Sequence, residues 1–179
     1  MLSQKTRYAL KALLELAALP AGITLSCAQI SARRTIPVKF LEAILGELKR
    51  GGLVHGQRGR SGGYQLARSA GEISFGSVVR LMEGPLASLP CVSVTQYRRC
   101  ADCADASTCE LRKIFRVLRD STATILDGWT LADARGRTDR RRSAQPRARR
   151  AVRDVEFSTH PGSVTTRITS NPRQPHMKK

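Results

Sequence analysis

The chain has 179 residues, which suits one globular domain with or without a tail. It carries 31 lysines and arginines against 14 acidic residues, and this net charge of +17 points to a polyanionic partner, either nucleic acid or an anionic membrane surface. Because no apolar run approaches the roughly 20 residues of a membrane-spanning helix and the N-terminus lacks the pattern of a signal peptide, the sequence predicts a cytoplasmic protein with no membrane partner.

The first 50 residues have the spacing of three helices. Ser3 is a typical N-cap, and apolar residues then recur every three or four positions until Pro20. Ser26 begins a second, short helix, and Pro37 stands in the first turn of a third helix that runs to Arg50. Two helices joined by a short turn, the second with a narrow apolar stripe, indicate a helix-turn-helix.

A β-hairpin with a basic tip follows the third helix. Residues 53–55 and 64–67 predict two short strands, and the loop between them is rich in glycine and arginine. A helix over residues 74–83 then ends before a Gly-Pro pair. The order of these elements predicts a winged helix-turn-helix domain over residues 1–84.

A cysteine-rich loop is predicted over residues 85–108. Four of the five cysteines lie within nineteen positions, namely Cys91, Cys100, Cys103 and Cys109. In a reducing compartment, where structural disulfides are rare, such a cluster of thiols indicates soft-metal or iron–sulfur ligation. Three interpretations stay open: a [2Fe-2S] cluster, a tetrahedral zinc site with four cysteine ligands, and a metal-free thiol switch that uses the Cys100–Cys103 pair.

Residues 109–133 predict a long helix with an apolar stripe of about four turns that includes Leu111, Ile114, Leu118 and Ile125. The small domain before this helix is already complete. We therefore predict that the stripe packs against a second copy of the chain, which makes a homodimer. The alternative is that the helix folds back on its own domain.

The last segment, residues 134–179, predicts a basic disordered tail. It holds 13 of the 31 basic residues and 3 of the 14 acidic ones, with little apolar periodicity. Such a composition cannot bury enough apolar surface to offset the entropy of ordering. The tail either adds nonspecific, salt-sensitive affinity for DNA through counterion release or is a solvated segment without function.

Three stretches of the winged domain have a familiar pattern. They are RYAL at residues 7–10, the segment from Ile30-Ser31 to Phe40-Leu41-Glu42, and, most specifically, RGRSGGYQLA at residues 58–67. With the cysteine loop and the long helix, the chain resembles the IscR/NsrR-type family of winged-helix regulators from residue 1 to about 133. The resemblance implies a mainly α fold with a small β-hairpin, a homodimer held by the long C-terminal helix, and binding to double-stranded operator DNA.

The resemblance also implies which surface contacts DNA. The third helix lies in the major groove, and the β-hairpin of residues 53–67, the wing, lies near the adjacent minor groove. Lys39 has the reach for phosphate or guanine, Phe40 for a thymine methyl group, and Glu42 for a cytosine amino group. Arginines on the wing have the length to enter a narrow minor groove, and those at the turn hold phosphates. The predicted contact residues are Arg33, Arg34, Thr35, Lys39, Phe40, Glu42, Arg58 and Arg60.

For the cysteines, the resemblance implies a [2Fe-2S] cluster, because many members of the family bind one through three cysteines of this loop. The gap between Cys103 and Cys109 matches the family spacing. The family's fourth ligand is a histidine just after the last cysteine or an acidic residue of the first helix, and here Arg112 and Arg7 stand near these places. Neither can ligate, so Cys100 is the candidate fourth ligand. The predicted ligands are Cys91, Cys100, Cys103 and Cys109.

The sequence predicts no enzyme, since no nucleophile, base and orienting group form a recognisable set. The competing function is that of a nonspecific, architectural DNA-binding protein driven by charge. Specificity discriminates the two, because a regulator binds its operator about 10³-fold or more tighter than random DNA.

Overall fold

The computed structural model describes residues 2–20, 22–57, 59, 62–101, 103 and 105–139. The predicted wing residues Arg58 and Arg60 and nearly all of the predicted tail lie outside these residues. The described chain is mainly helical with one two-stranded antiparallel hairpin, as predicted. Its elements are α1 (Gln4–Leu16), α2 (Cys27–Arg34), α3 (Val38–Arg50), β1 (Val54–Gln57), β2 (Gly63–Leu66), α4 (Phe75–Glu83), a 3₁₀ turn (Pro90–Val92), α5 (Glu110–Asp127) and α6 (Leu131–Asp139).

Serine side chains cap the N-termini of three helices. The Ser3 hydroxyl accepts from the backbone N–H of Thr6 at the start of α1, and Ser74 does the same for α4. At α2, Ser26 and Gln29 form a reciprocal capping box. Each cap satisfies an N–H group that has no partner inside its helix and contributes about 1 kcal/mol to stability.

One hydrophobic core joins α1, α2, α3, α4 and the first strand. Ala9 and Ala12 are fully buried on α1, and their small side chains let the neighbouring helices approach closely. Leu131, at the start of α6, is also fully buried in this core. The largest fully buried apolar side chains are Leu13, Ile30, Leu41, Ile44, Leu45, Leu48, Ile73, Leu131, Val54, Val78 and Val92.

The hairpin is tied to the helical core through Leu25. Strand β1 pairs with β2 in antiparallel register, with Val54 opposite Leu66 and Gln57 opposite Gly63. Leu25 forms an isolated bridge to Tyr64, in which each backbone N–H donates to the other residue's carbonyl at 3.1 and 2.8 Å. This bridge fixes the wing on the segment that leads into α2.

The predicted long helix over residues 109–133 is interrupted. α5 ends at Asp127, and Thr130 then caps α6, with its hydroxyl accepting from the Asp133 N–H while the Asp133 carboxylate accepts from the Thr130 N–H. The connection returns to the core because the Leu131 N–H donates to the Ile73 carbonyl at 3.0 Å. α6 extends to Asp139, six residues into the range predicted as tail.

The C-terminus of α4 holds the N-terminus of α1. One carboxylate oxygen of Glu83 accepts from the Ser3 N–H at 2.8 Å and from the Thr6 hydroxyl at 2.5 Å, and the Thr6 side chain is fully buried. The hydrogen bonds from Ser3 and Thr6 lower the pKa of Glu83 to about 2. The carboxylate form is therefore the one that stabilises the fold.

This linkage predicts a pH dependence for Glu83. The pKa is depressed in the folded state, so the stabilisation is complete above the ordinary pKa of about 4.5 and is lost as the pH falls toward about 2. We expect Glu83→Gln to melt below the parent protein at pH 7, and this difference in melting temperature to shrink steadily between pH 5 and pH 3. Thermal unfolding followed by circular dichroism measures it. Two melting curves that stay parallel across this range would contradict the assignment.

Candidate nucleic-acid interface and cysteine loop

The turn between α2 and α3 has a left-handed residue at its centre. Thr35 caps the C-terminus of α2 with φ 53° and ψ 53°, a conformation that strains a β-branched residue. The Ser31 hydroxyl donates to the Ile36 carbonyl at 2.6 Å, and the Ile36 side chain is buried. The hydrogen bond from Ser31 and the buried Ile36 side chain therefore hold the turn, and the turn sets the angle between α2 and α3.

α3 has one buried and one exposed face. Leu41, Ile44, Leu45 and Leu48 are buried in the core. At the N-terminal end of the opposite face, the predicted contact residues are all exposed, and the Phe40 ring is 62% exposed. Thr35, in the turn before α3, and Lys39, Phe40 and Glu42, in its first two turns, are thus all accessible to a partner.

Arg33 and Arg34 have a partner that the sequence did not indicate. Glu15 of α1 accepts from the Arg33 guanidinium at 3.1 Å and from the Arg34 Nε at 2.7 Å. Burial raises the pKa of Glu15, but the hydrogen bonds and positive charges of the two arginines outweigh this effect and lower it. Both arginines thus form ion pairs that fix α2 on α1. Arg33 is the more exposed of the two.

The 3₁₀ turn and the start of α5 bring several cysteines near each other. Cys91 is buried in the turn, and Cys109 is the N-cap residue of α5. The Cys103 thiol donates to the Asp105 carbonyl at 3.5 Å, and Cys109 and Cys91 lie near enough to act on it electrostatically. Removal from water, followed by the neighbouring Cys109, raises the pKa of Cys103, while Arg99 opposes this shift. Cys100 is half-buried three residues before Cys103.

By the chemistry of its donors, the loop fits a soft metal, since thiolates are the ligands that iron–sulfur clusters and zinc take in proteins. The positions of the side chains, however, do not form a complete metal site. Within the described ranges, no three cysteine, histidine or acidic residues stand close enough together to hold a metal ion. The four-cysteine ligand set therefore stays a prediction.

α5 presents an apolar stripe to solvent. None of its residues is buried, and Leu111 and Ile114 are 61% and 66% exposed. Val117, Leu118 and Ile125 continue the exposed apolar surface along the helix. A contiguous apolar surface of this kind is typical of an interaction site. In the described part of the chain, no helix is long and apolar enough to cross a membrane.

Comparisons with known proteins agree with this architecture. A family model described as Rrf2, an iron-dependent transcriptional regulator, matches residues 2–135. A Rhodobacter capsulatus protein named as an rrf2-like HTH-type transcriptional regulator is 42% identical over 138 residues, which cover 74% of this chain and 91% of that protein.

Two solved structures are similar in fold. CymR, the global cysteine regulator of B. subtilis, has a TM-score of 0.64 and 29% identity, over 78% of this chain and 98% of that one. IscR of T. potens has a TM-score of 0.61 and 27% identity, over 82% of this chain and 93% of that one. The matched proteins are transcriptional regulators and not enzymes.

Proposed function

Since the chain belongs to the Rrf2 family of transcriptional regulators, we propose that it is a homodimeric, operator-specific regulator of the IscR type whose cysteine loop senses a chemical signal. The observation that carries the DNA-binding part is the exposed N-terminal end of α3, where Lys39, Phe40 and Glu42 point away from a fully packed core. A helix held from behind in this way is suited to enter a major groove.

Operator selection tests this part. From a random duplex library, we expect one short, roughly palindromic sequence to bind about 10³-fold tighter than its scrambled version at physiological salt. Phe40→Ala is expected to relax the choice of base at one position of each half-site, at a cost of about 1–2 kcal/mol. Exposed Lys113 on α5, changed to Ala, is the control and should leave the base preference intact. Equal binding to operator and scrambled DNA would instead indicate an architectural protein.

The apolar stripe of α5 supports the homodimer. A second copy covers such a stripe with the same stripe. For DNA, this requires recognition helices about 34–36 Å apart, one turn of the duplex. Cys109 is the N-cap residue of α5, so the cysteine loop adjoins the helix that we propose as the dimer contact.

A path of direct contacts leads from α5 to α2, the helix that precedes α3 across a short turn. The Asp127 carboxylate accepts two hydrogen bonds from the Arg80 guanidinium at 2.6 and 2.8 Å, which joins α5 to α4. Glu83 then joins α4 to α1, and Glu15 joins α1 to α2. A change in the cysteine loop that moves α5 is passed through these contacts toward α3 in each subunit. It regulates DNA binding only if the two states of the loop give the dimer different affinities for DNA.

For the signal, we propose that Cys91, Cys103 and Cys109, with Cys100 as the fourth thiolate, hold a [2Fe-2S] cluster. Such a cluster, when bound, supplies one-electron redox chemistry and reactivity toward oxidants or nitric oxide. The loop's own residues hold the thiolates and keep the site beside α5. The electrostatic effect of Cys109 and Cys91 on the Cys103 thiol supports this assignment, and so does the chain's likeness to IscR.

A thiol switch is the second candidate, and the nearness of Cys109, which raises the pKa of Cys103, favours it. Two thiols in contact are oxidised by one hydrogen peroxide to a disulfide and two waters. This pair differs from Cys100–Cys103, which the sequence indicates through its Cys-x-x-Cys spacing. The resulting disulfide would tie residue 103 to the N-cap of α5.

Anaerobic purification separates these candidates. A cluster gives broad absorption between about 300 and 600 nm and about two irons and two sulfides per chain. Cys103→Ala is expected to abolish this absorption, whereas Cys27→Ala, in α2, keeps it. Absorption that survives in Cys103→Ala removes that residue as a ligand. A colourless protein that forms the Cys103–Cys109 disulfide with peroxide supports the thiol switch, and one zinc per chain makes the loop structural.

A further inference from the structure

Arg112 contacts three separate parts of the cysteine loop. Its Nε donates to the Cys91 carbonyl at 3.2 Å, and its Nη1 donates to the Ala106 carbonyl at 3.1 Å. Its guanidinium also lies 5.9 Å from the centre of the Tyr97 ring. These three contacts come from one side chain in the first turn of α5, directly after the N-cap residue Cys109.

The positions of these contacts follow the cysteines. Cys91 itself receives one hydrogen bond, and Ala106 lies between Cys103 and Cys109. Arg112 therefore binds the first cysteine segment and the last one to the helix that begins at Cys109. A guanidinium suits this task because its donors form a rigid planar fork whose face stacks on an aromatic ring.

Two further arginines support the same segment. Arg119, two turns along α5, donates to the Val92 carbonyl, next to Cys91, and its side chain is largely buried. Arg99 donates to the Cys103 carbonyl at 3.2 Å. The loop is thus held through its backbone carbonyls by positive side chains, which leaves the thiols available for chemistry.

We propose that Arg112 is the positioning residue of the cysteine loop, fixing the backbone at Cys91 and at Ala106 to the helix that begins after Cys109. The guanidinium has no acceptor and does not lose its proton, so it positions the thiols and does not ligate. The inference rests on the proposed function for the reaction that the thiols perform, and on the contacts above for their arrangement. A cluster held by Cys91, Cys103 and Cys109 requires this arrangement.

Site-resolved alkylation tests the proposal. The full-length protein is reduced, treated with a chelator and reacted with iodoacetamide, and mass spectrometry gives a rate for each cysteine. We expect Arg112→Met to raise the rate at buried Cys91 by about 10-fold, since local opening costs less when two hydrogen bonds to a charged group are lost. Arg112→Lys, which keeps a charged donor, is expected to restore part of the protection.

The matched control is Arg116→Met, one turn further along α5, where the side chain is exposed. Cys27 of α2 is the internal reference, and its rate is expected to stay unchanged in every variant. A Cys91 rate in Arg112→Met within about twofold of the control, or an equal rise at Cys27, would overturn the proposal. The assay contains no DNA and no metal, so a failure of operator binding or of cluster assembly leaves its result unaffected.

Discussion

The double substitution Ile114→Glu/Leu118→Glu is expected to convert the dimer to monomers and to weaken operator binding by at least about 100-fold. Ile114 and Leu118 lie on the exposed stripe of α5, and burial of each side chain contributes about 1.5–3 kcal/mol. In a two-fold dimer each substitution acts twice, and each introduces a charge into an apolar contact. A monomer reads one half-site and loses the contacts of the other.

Sedimentation and operator titration measure the two effects on the same samples. The control is the double substitution Lys113→Glu/Arg116→Glu. It makes the charge of α5 more negative than the test variant does, but it leaves the apolar stripe intact. We expect this control to stay dimeric. If Ile114→Glu/Leu118→Glu sediments as a dimer, the stripe is not the contact between subunits, and the dimer forms through another surface.

The parts of the fold that local chemistry determines were predictable. Ser3 and Ser26 are N-caps in the structure because their hydroxyls satisfy nearby N–H groups, a property that depends on a few neighbouring residues. The spacing of apolar residues on α3 predicted its buried face, because this pattern also depends only on nearby residues. The break before α6 was missed, although the Thr130–Asp133 pair has the spacing of a capping box. The apolar stripe before it was interpreted as continuous.

Features that depend on distant residues could not be predicted in this way. Glu15 and Arg34 are nineteen residues apart, and Glu83 and Ser3 are eighty apart. Their pairing follows from how α1 packs on α2 and α4, which no local pattern encodes. The cysteines give a similar lesson. Sequence spacing favoured the Cys100–Cys103 pair for a thiol switch, whereas in the folded loop it is Cys109 that raises the pKa of the Cys103 thiol.

The second large effect is expected for Gly63→Ala, which should lower the free energy of unfolding by about 2–3 kcal/mol and weaken operator binding by about 10-fold or more. A Cβ at this position would lie 2.7 Å from both the backbone carbon and the oxygen of Leu25. These are backbone atoms, so no side chain can rotate away to relieve the contact. The bridge between Leu25 and Tyr64 must open, and β2 must move from the core.

Operator binding decreases as well, because β1 and β2 lead into the segment with Arg58 and Arg60, the predicted minor-groove residues. Denaturant unfolding and an operator titration give the two quantities. Gly71→Ala is the control, since a Cβ there meets no atom within 4 Å, and its stability and affinity should match those of the parent protein. A stable Gly63→Ala protein that binds DNA poorly would show that the wing acts through its position alone. A stable protein with normal affinity would contradict the role of the Leu25 bridge in holding the wing.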